Sequence, residues 1–244
     1  MSNSLNSNDL DARNADSARV DTPLRVAVTG GTSGLGRELV RALRAQGAQV
    51  AFVARSADAV ERTARETGAF GITGDVGRKD DIYAIALQIT AHLGGLDVLI
   101  NNASSLGPAP LLPLADTDCE DLEDALAVNL LGPFRLTKAL FGALAASARD
   151  GRDPIVINIS SDAALNAYAG WGAYSASKAG LRHLTAIWDE EAKDAGVRFL
   201  SVDPGDMDTP MHAAAVPDAD RSALKRPADS AAEVLQHVLG KVQA

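Results

Sequence analysis

Short apolar runs alternate with longer stretches of mixed polarity along most of the chain. The apolar runs predict six buried strands, at Arg25–Thr29, Gln49–Ala54, Phe70–Thr73, Val98–Ile100, Ile155–Ile159 and Phe199–Val202. The stretches between them repeat apolar residues three and four positions apart, which predicts helices near 34–46, 57–67, 79–93, 118–147, 173–195 and 229–240. Because strands and helices alternate, we expect a three-layer α/β fold, a doubly wound parallel sheet with helices on both faces.

The two ends of the chain depart from this pattern. Residues 1–22 are polar and rich in Ser, Asn and Asp, so they cannot bury enough apolar surface to offset the entropy of ordering. We expect them to form a disordered tail ahead of a single domain spanning 23–244. Only residues 241–244 follow the last predicted helix, too few for another strand, so we expect six strands. The proline-containing stretch 206–227 is expected to be irregular.

A glycine-rich turn, Thr-Gly-Gly-Thr-Ser-Gly-Leu-Gly at residues 29–36, lies between the first predicted strand and the first predicted helix. Glycine permits positive φ and close backbone approach, and a helix N-terminus offers free N–H groups and a positive dipole end to a pyrophosphate. Strand, turn and helix together predict a dinucleotide site, although a glycine turn alone also serves as a tight connection. The candidate cofactor-binding residues in the turn are Gly30, Thr32, Ser33, Gly34, Leu35 and Gly36.

A tyrosine and a lysine, Tyr174 and Lys178, lie four positions apart within a predicted helix. Residues at this spacing share a helix face, and a positive charge about 4 Å from the phenol is worth roughly 4 kcal/mol at an effective dielectric near 20. That charge would lower the pKa of the phenol by about three units, toward the range in which proton transfer is efficient. The pair therefore predicts acid–base chemistry. The alternative is a half-buried tyrosine beside a surface lysine.

A proline, Pro133, lies inside the longest predicted helix, four residues after Asn129. Proline has no N–H group, and its ring crowds the carbonyl four residues earlier. We therefore expect a kink that leaves the Asn129 carbonyl without a helical partner, so that it must bond elsewhere. A kink that serves packing alone is the alternative.

Taken in order, these features and two more make the sequence resemble the short-chain dehydrogenase/reductase family in its compact single-domain form. The further matches are Asn101-Asn102-Ala103 and Pro204-Gly205 with Thr209, and the resemblance spans roughly residues 24 to 240. It implies a Rossmann-like sheet and hydride transfer between a nicotinamide dinucleotide and a carbonyl or alcohol substrate. Ser104 departs from the family pattern, which usually has glycine after Asn-Asn-Ala.

The resemblance also implies a catalytic set. Ser161, thirteen residues before Tyr174, would hold the substrate oxygen, and Tyr174 would transfer the proton. Lys178 would lower the pKa of Tyr174 and bind the nicotinamide ribose, while the Asn129 carbonyl would hold a water that links Lys178 to solvent. Ser160 competes with Ser161 for the serine role; because side chains alternate along a strand end, we expect only one of the two to face the site.

The end of the second predicted strand bears on the choice of cofactor. In the resembling family an acidic residue there implies NAD, whereas this chain has Ala54 followed by Arg55 and Ser56. A guanidinium can bind a 2′-phosphate in bidentate fashion, so we expect NADP(H); a solvated arginine at a strand end is the alternative. The further cofactor contacts that the resemblance implies are Asp75, Val76, Asn102, Ala103, Ser104, Tyr174, Lys178, Pro204, Gly205, Met207 and Thr209.

Composition and charge argue against several function classes. The formal net charge is −9 without a basic cluster, so no nucleic-acid partner is expected. The four histidines are scattered without metal-ligand spacing, so no metal site is expected. No stretch reaches the roughly 20 apolar residues of a membrane span, and the N-terminus lacks a signal-peptide layout. With Cys119 as its lone cysteine, the chain is expected to be cytoplasmic and to have no membrane partner.

A small carbonyl or alcohol compound is the expected partner. Apolar candidates around the site, among them Ala163, Leu165 and Trp171, predict an uncharged or partly apolar one. A non-catalytic dinucleotide-sensing or scaffold protein on the same fold is the alternative. We also expect a homo-oligomer, first a dimer and otherwise a tetramer. The dimer would use the outer faces of the two long helices, which carry Leu136, Leu140, Leu144, Leu181 and Leu184. The alternative is that these leucines only pack onto the sheet.

Overall fold

The computed structural model describes residues 22–239 of the 244. The predicted tail therefore lies outside the described residues up to position 21, as do residues 240–244. The strands are β1 (Arg25–Thr29), β2 (Gln49–Ala54), β3 (Phe70–Thr73), β4 (Val98–Asn101), β5 (Ile155–Ile159) and β6 (Arg198–Val202). The helices are α1 (Gly34–Ala45), α2 (Ala57–Thr67), α3 (Ile82–Leu93), α4 (Cys119–Leu126), α5 (Gly132–Arg149), α6 (Gly172–Glu191), α7 (Pro210–Ala215) and α8 (Pro227–Leu239). Within that range, no helix has both the length and the apolar character that crossing a membrane requires.

The strands form one sheet in the order β3-β2-β1-β4-β5-β6, and every neighbouring pair is parallel. At its centre, Ala27 of β1 lies opposite Ala51 of β2 on one side and Leu99 of β4 on the other. The strand order reverses between β1 and β4, which leaves a crevice at the carboxyl ends of these strands. This arrangement confirms the predicted doubly wound sheet.

Both faces of the sheet are buried, because alternate strand residues point to opposite sides. Ala27 and Leu99 pack against α3 and α5 in one core, whereas Val28 and Ile100 pack against α1 and α8 in the other. Burying one such aliphatic side chain contributes about 1.5–3 kcal/mol. The near-continuous apolar strands of the sequence therefore reflect burial on both faces, as parallel sheets require.

The longest predicted helix, 118–147, is divided in the structure. Helix α4 ends at Leu126, a π-helical turn spans Ala127–Leu131, and α5 begins at Gly132 with Pro133 in its first turn. The Gly132 N–H bonds to the Ala127 carbonyl five residues back, which widens the helix just before the proline. Pro133 has no N–H to donate, and its ring crowds the carbonyl four residues earlier, so a regular α-helical turn is disfavoured here. The expected kink is thus a π turn, a feature that is frequent at functional sites.

One helix was not expected from the sequence. The stretch 206–227 was predicted to be irregular, yet it contains α7 at Pro210–Ala215. The Thr209 hydroxyl accepts a hydrogen bond of 3.2 Å from the His212 N–H, and Pro210 occupies the first helical position. A threonine N-cap followed by proline is a helix-start signal, so the sequence did carry the information.

The leucines proposed for a dimer interface are mostly buried in the monomer. Leu136, Leu140 and Leu144 of α5 have no exposed surface, and Leu181 of α6 is 2% exposed. Leu184 is half-buried. The prediction of an apolar outer patch is therefore wrong for the first four residues, which are buried; Leu136, Leu140 and Leu144 belong to the core on one face of the sheet.

A buried aspartate joins several segments at the amino-terminal edge of the sheet. Asp97 is 1% exposed and accepts hydrogen bonds from the Arg25 backbone N–H (2.9 Å), the Ser147 hydroxyl (2.6 Å) and the Arg152 guanidinium (2.6 Å). The Arg25 guanidinium adds a fourth contact at 2.7 Å. Burial would raise the pKa of Asp97, but the hydrogen bonds from Arg25 and Ser147 hold it below its ordinary value. The carboxylate thus ties β1, α5 and the segment after α5 to the start of β4.

We predict that Asp97→Asn lowers the free energy of unfolding by about 2–4 kcal/mol at neutral pH, because two arginines lose their carboxylate partner. Urea denaturation measures this change. Because the folded-state pKa is depressed, the contribution is present above the unfolded pKa and is lost as pH falls through the folded pKa. The difference between wild type and variant should therefore shrink on acidification.

Asp153→Asn is the matched control for this experiment. Asp153 pairs with Arg198 at 3.6 Å, but its side chain is 57% exposed. An exposed ion pair contributes at most about 1 kcal/mol, so the control should unfold close to wild type. Equal stability of the Asp97 and Asp153 variants would contradict the role assigned to Asp97.

Candidate active site

A cavity of about 930 Å³ opens at the carboxyl ends of the strands. The turns that follow β1, β2, β3, β4, β5 and β6 border it, together with the beginnings of α6 and α7. Of the predicted catalytic and cofactor-binding residues, Asn129 alone does not line the cavity. The predicted residues that do are Gly30, Thr32, Ser33, Gly34, Leu35, Gly36, Arg55, Ser56, Asp75, Val76, Asn102, Ala103, Ser104, Ser161, Tyr174, Lys178, Pro204, Gly205, Met207 and Thr209.

The glycine turn depends on the lack of side chains at two positions. Gly30 has φ +71°, and a Cβ there would lie 2.9 Å from the Cα of Ala103. A Cβ on Gly36 would lie 2.1 Å from the Gly30 carbonyl oxygen, closer than any real contact. Ser33 precedes α1 without a side-chain capping bond. The first-turn N–H groups of α1 are therefore available to an anion beside the turn.

The turn is fastened to the end of β4. The backbone N–H groups of Asn102 and Ala103 both donate to the Thr29 hydroxyl at 3.0 Å. The Asn102 side-chain amide donates to the Thr29 carbonyl at 2.9 Å and to the Gly30 carbonyl at 3.3 Å. Asn102, predicted as a cofactor contact, thus also fixes the shape of the glycine turn.

The residues predicted to select the cofactor lie at the end of β2. Arg55 is exposed, lines the cavity and forms no ion pair with any described residue. The Ser56 hydroxyl accepts the Ala59 N–H at 3.4 Å and so caps α2. Asp75 and Val76, after β3, line the same cavity. The guanidinium is therefore the free cation at this end of the described site.

The segment after β6 closes against the glycine turn. The Pro204 carbonyl accepts the Ser230 hydroxyl at 2.9 Å, and Gly205 has φ +75°. A Cβ on Gly34 would lie 3.1 Å from the Cγ2 of Thr209, so the two segments nearly touch. This contact brings residues more than 170 positions apart to one wall of the cavity.

Tyr174 and Lys178 lie one turn apart on α6, as their spacing predicts. Lys178 is 2% exposed, and its ammonium lies 5.6 Å from the centroid of the Tyr174 ring. The ammonium donates to the Ile159 carbonyl at 2.8 Å. The ring of Trp171 packs edge-on against Tyr174 at 5.7 Å between centroids. The alternative of a surface lysine is wrong, because the side chain is buried at the end of β5.

The ionisation of the pair differs from the sequence-based expectation. Burial raises the pKa of Tyr174 to about 12, although the hydroxyls of Ser161 and Ser104 lower it. Burial lowers the pKa of Lys178 to about 8. The phenol is therefore not brought toward neutral pH in this structure. Loss of water around the phenol outweighs the effect of its neighbours, and the ammonium bonds to a main-chain carbonyl.

Asn129 is 1% exposed and uses its whole side-chain amide. The oxygen accepts the Ser104 hydroxyl at 3.0 Å and the Ser105 N–H at 2.8 Å. The nitrogen donates to the Ser105 carbonyl at 2.7 Å and to the Ser177 hydroxyl at 2.8 Å. Sequence reasoning considered only the carbonyl of Asn129 and missed this network, because its partners lie 24 to 48 positions away.

Both candidate serines after β5 border the cavity, and the expectation that only one side chain faces it stays a prediction. Ser161 lowers the pKa of the Tyr174 phenol, whereas Ser160 has no such effect, which favours Ser161. The Ser161 hydroxyl donates to the Asp162 carboxylate at 3.1 Å and accepts the Ala163 N–H at 3.2 Å. Ser160 is 5% exposed, and its hydroxyl has no partner among the described residues.

Two further cavity residues were missed from the sequence. The Asp162 carboxylate accepts the Tyr168 hydroxyl at 2.7 Å, and both side chains are exposed at the cavity. Burial is the main cause that raises the pKa of Tyr174, and the charges of Asp203 and Asp162 raise it further. The position of Asp162 directly after Ser161 was the available signal.

The residues around the cavity fit a dinucleotide. A turn that only glycine permits borders uncapped N–H groups at the start of α1, which suits a pyrophosphate. Arg55 lies on the same cavity as Tyr174 and Lys178. Within residues 22–239, no group of three or more His, Cys, Asp or Glu side chains is arranged to hold a metal ion.

Comparison with known proteins agrees with this site. The sequence model described as short chain dehydrogenase matches residues 25–220. The chain is 33% identical over 206 residues to L-fucose dehydrogenase of Oryctolagus cuniculus, covering 82% of this chain and 69% of that protein. It is similar to a short chain dehydrogenase of Burkholderia cenocepacia in complex with NADP, with a TM-score of 0.78, 26% identity and coverage of 88% and 90% of the two chains. A 3-ketoacyl-(acyl-carrier-protein) reductase of Brucella melitensis complexed with NADH shares the fold, with a TM-score of 0.82, 24% identity and coverage of 90% and 91%.

We predict that Gly36→Ala lowers the free energy of unfolding by about 1–3 kcal/mol, as overpacking does, because its Cβ meets the Gly30 backbone. Gly142→Ala is the control, since Gly142 lies in α5 with no atom within 4 Å of an added Cβ. That change should be neutral or stabilise by up to about 1 kcal/mol. Denaturant unfolding compares the two, and equal midpoints would contradict the packing assigned to Gly36.

Proposed function

Because the chain belongs to the short-chain dehydrogenase/reductase family, we propose that it is an oxidoreductase that transfers a hydride between NADP(H) and a carbonyl or alcohol substrate. The observation that carries this proposal is the convergence of Ser161, Tyr174 and Lys178 on the cavity that the glycine turn borders. These three residues and Asn129 form the proposed catalytic set. The family membership makes oxidoreductase activity the first expectation; the finer assignments below are ours.

The bound dinucleotide would supply or accept the hydride, and the protein would position the reactants and handle the proton. The glycine turn and the first turn of α1 would hold the pyrophosphate. Lys178 would hold the nicotinamide ribose, and the segment from Pro204 to Thr209 would lie along the nicotinamide. Each of these groups lines the same cavity.

In the proposed reduction, the Tyr174 hydroxyl gives its proton to the substrate oxygen, and Ser161 holds that oxygen. A pKa of about 12 keeps the phenol protonated at pH 7, which is the state that donation requires. In oxidation the same phenol must first lose its proton. Asn129 would support the site from the interior, where its amide nitrogen donates to the Ser105 carbonyl and the Ser177 hydroxyl.

NADP(H) is proposed in preference to NAD(H) because of the end of β2. Arg55 lines the cavity as a cation without an ion-pair partner among the described residues, and Ala54 precedes it where an acidic residue would favour NAD. A guanidinium matches a phosphate in bidentate fashion. The Burkholderia cenocepacia protein, which is 26% identical, contains NADP, in line with this choice.

We propose an uncharged, partly apolar substrate. The cavity near Tyr174 is lined by apolar side chains, including Leu106, Ala163 and Trp171, as expected; Leu165 is 67% exposed and does not line it. Three carboxylates also border the cavity, Asp162, Asp203 and Asp206. Negative charges close to the phenol would repel an anionic substrate.

The assembly and location of the protein stay proposals as well. We propose a homo-oligomer, first a dimer and otherwise a tetramer, and a cytoplasmic location. The buried leucines of α5 cannot supply a dimer contact, so an interface on the two long helices would have to use exposed residues such as Ile187 of α6 and Leu131 in the π turn before α5.

We predict that Tyr174→Phe lowers turnover by about a hundredfold or more, because the acid is lost, while NADPH binding persists. Purified protein is incubated with NADPH and a panel of uncharged ketones and diketones, and the absorbance of the reduced nicotinamide is followed. Calorimetry measures binding. Lys178→Ala should weaken both turnover and binding, because one side chain serves both.

Tyr83→Phe is the control, since Tyr83 lies on α3 and is 78% exposed. It should keep the wild-type rate. Unchanged turnover in Tyr174→Phe would contradict the assignment of Tyr174 as the acid. NADPH binding by wild type without turnover on any compound of the panel would favour the alternative of a dinucleotide-sensing or scaffold protein.

We predict that Arg55→Asp reverses the preference for NADPH over NADH, because it removes a phosphate partner and adds repulsion. The ratio of kcat/KM for the two cofactors measures the preference. Arg62→Asp makes the same change of charge on exposed α2, outside the cavity, and should leave the ratio as in wild type. Equal efficiency with both cofactors in wild type would refute the assignment.

A further inference from the structure

Asp162 places a carboxylate directly beside the serine that is proposed to hold the substrate oxygen. One carboxylate oxygen accepts the Ser161 hydroxyl at 3.1 Å, and the other accepts the Tyr168 hydroxyl at 2.7 Å. All three residues border the cavity, and Asp162 and Tyr168 are exposed. The proposed reaction uses Ser161 but gives no role to the carboxylate that its hydroxyl contacts.

The backbone around Asp162 fixes the position of this carboxylate. Asp162 begins a 3-10 helical turn, and its carbonyl accepts the N–H groups of Leu165 and Asn166, both at 2.9 Å. The Tyr168 carbonyl accepts the Trp171 N–H at 3.2 Å, which holds the second hydroxyl donor near the same turn. A recognition group supported by such bonds keeps a defined direction. Because these bonds use main-chain atoms, replacing the Asp162 side chain leaves them in place.

The proton of the Ser161 hydroxyl is directed to Asp162 in this structure. A serine hydroxyl has a single proton to donate, so Ser161 can donate to a carbonyl oxygen only after this proton turns away from Asp162. The Ser161 oxygen accepts the Ala163 N–H at 3.2 Å and can keep that bond while the proton turns. Asp162 would then lose one of its two hydroxyl donors when the substrate binds. A donor on the substrate itself would replace it.

A hydroxyl on the carbon next to the carbonyl is the donor that fits this exchange. It is neutral, like the Ser161 hydroxyl that it replaces, so the charge of the site does not change. An ammonium group in the same place would have to lose its water shell, which costs far more than it does for a hydroxyl. One carbon–carbon bond keeps the two substrate oxygens adjacent, as Ser161 and Asp162 are adjacent in the chain.

We propose that Asp162 is a specificity-determining residue that selects substrates with a hydroxyl next to the reacting carbonyl. The substrate hydroxyl donates to the Asp162 carboxylate while Ser161 donates to the carbonyl oxygen. Tyr168 keeps its bond to the other carboxylate oxygen. This assignment rests on the proposed function, and it narrows the substrate class to uncharged α-hydroxy ketones.

The product of the proposed reduction is a vicinal diol. The carbonyl carbon takes the hydride from NADPH, and the carbonyl oxygen takes the proton of the Tyr174 hydroxyl. NADP⁺ is the oxidised product. The hydroxyl that Asp162 binds is unchanged by the reaction, so its only contribution is to binding and orientation.

The first test compares α-hydroxyacetophenone with acetophenone, which lacks the hydroxyl, in the presence of NADPH. A hydroxyl also changes the intrinsic reactivity of a ketone, so the decisive quantity is the ratio of the two kcat/KM values in wild type relative to Asp162→Ala. That ratio should fall by about tenfold or more in the variant, which is the effect of losing one hydrogen bond to a charged acceptor. An unchanged ratio would overturn the proposal.

Asp203→Asn is the matched control for charge. Asp203 borders the same cavity, and its carboxylate accepts the Gly205 N–H at 2.9 Å, a bond that an amide oxygen can also accept. Asp162→Asn and Asp203→Asn each remove one negative charge from the cavity, but only Asp162→Asn should lower the ratio. An equal fall in both would assign the preference to the overall charge of the cavity and would contradict the role of Asp162.

α-Aminoacetophenone separates a hydroxyl site from a cation site. Its amine occupies the place of the hydroxyl and is protonated at neutral pH. Wild type should use it less efficiently than α-hydroxyacetophenone. A larger Asp162-dependent preference for the amine would show that the carboxylate selects a cation, against the proposal.

The second test requires no turnover. Saturation-transfer NMR measures the binding of styrene glycol and of α-methylbenzyl alcohol to the full-length protein, with and without NADPH. The diol should bind about tenfold more tightly than the mono-alcohol, and this advantage should disappear in Asp162→Ala. Equal binding of the two alcohols by wild type would overturn the proposal. A diol preference without turnover of any ketone would reject the proposed function and support the hydroxyl site.

Discussion

The hydrogen bonds between the ends of β1 and β4 are the interactions on which the rest of the cavity depends. The Thr29 hydroxyl accepts the N–H groups of Asn102 and Ala103, both at 3.0 Å, and the Asn102 amide holds the Thr29 carbonyl. These strands are neighbours where the sheet order reverses. The tie therefore fixes the glycine turn, which leads into α1, against the loop that carries Ser104. Any displacement of β1 relative to β4 would separate the two walls of the site.

Loss of water decides the ionisation of the central residues. Tyr174 and Lys178 are both buried, and burial moves their pKa values apart, to about 12 for Tyr174 and about 8 for Lys178. Proximity of a cation to a phenol is therefore insufficient to activate it. The ammonium bonds to the Ile159 carbonyl, so the nearby hydroxyls are the groups that favour the ionised phenol.

The widened helical turn before Pro133 connects the fold to this balance. It ends α4 and begins α5 while keeping Asn129 in the interior, where its amide binds the loop after β4 and the start of α6. A regular helix would place a proline ring against the carbonyl of Asn129. The π turn before this proline thus contains Asn129, whose amide joins the loop after β4 to α6.

The sequence by itself determined the strands, the sheet type and the glycine turn, because these follow from local periodicity and from the backbone freedom of Gly30 and Gly36. It also placed Tyr174 and Lys178 on one helix face, since that spacing is local. Only the tertiary structure decided the pKa of Tyr174, the burial of Leu136 and Leu140, and the bond between Ser104 and Asn129. Desolvation and long-range hydrogen bonds depend on groups distant in the chain, and no local pattern encodes which of them will meet.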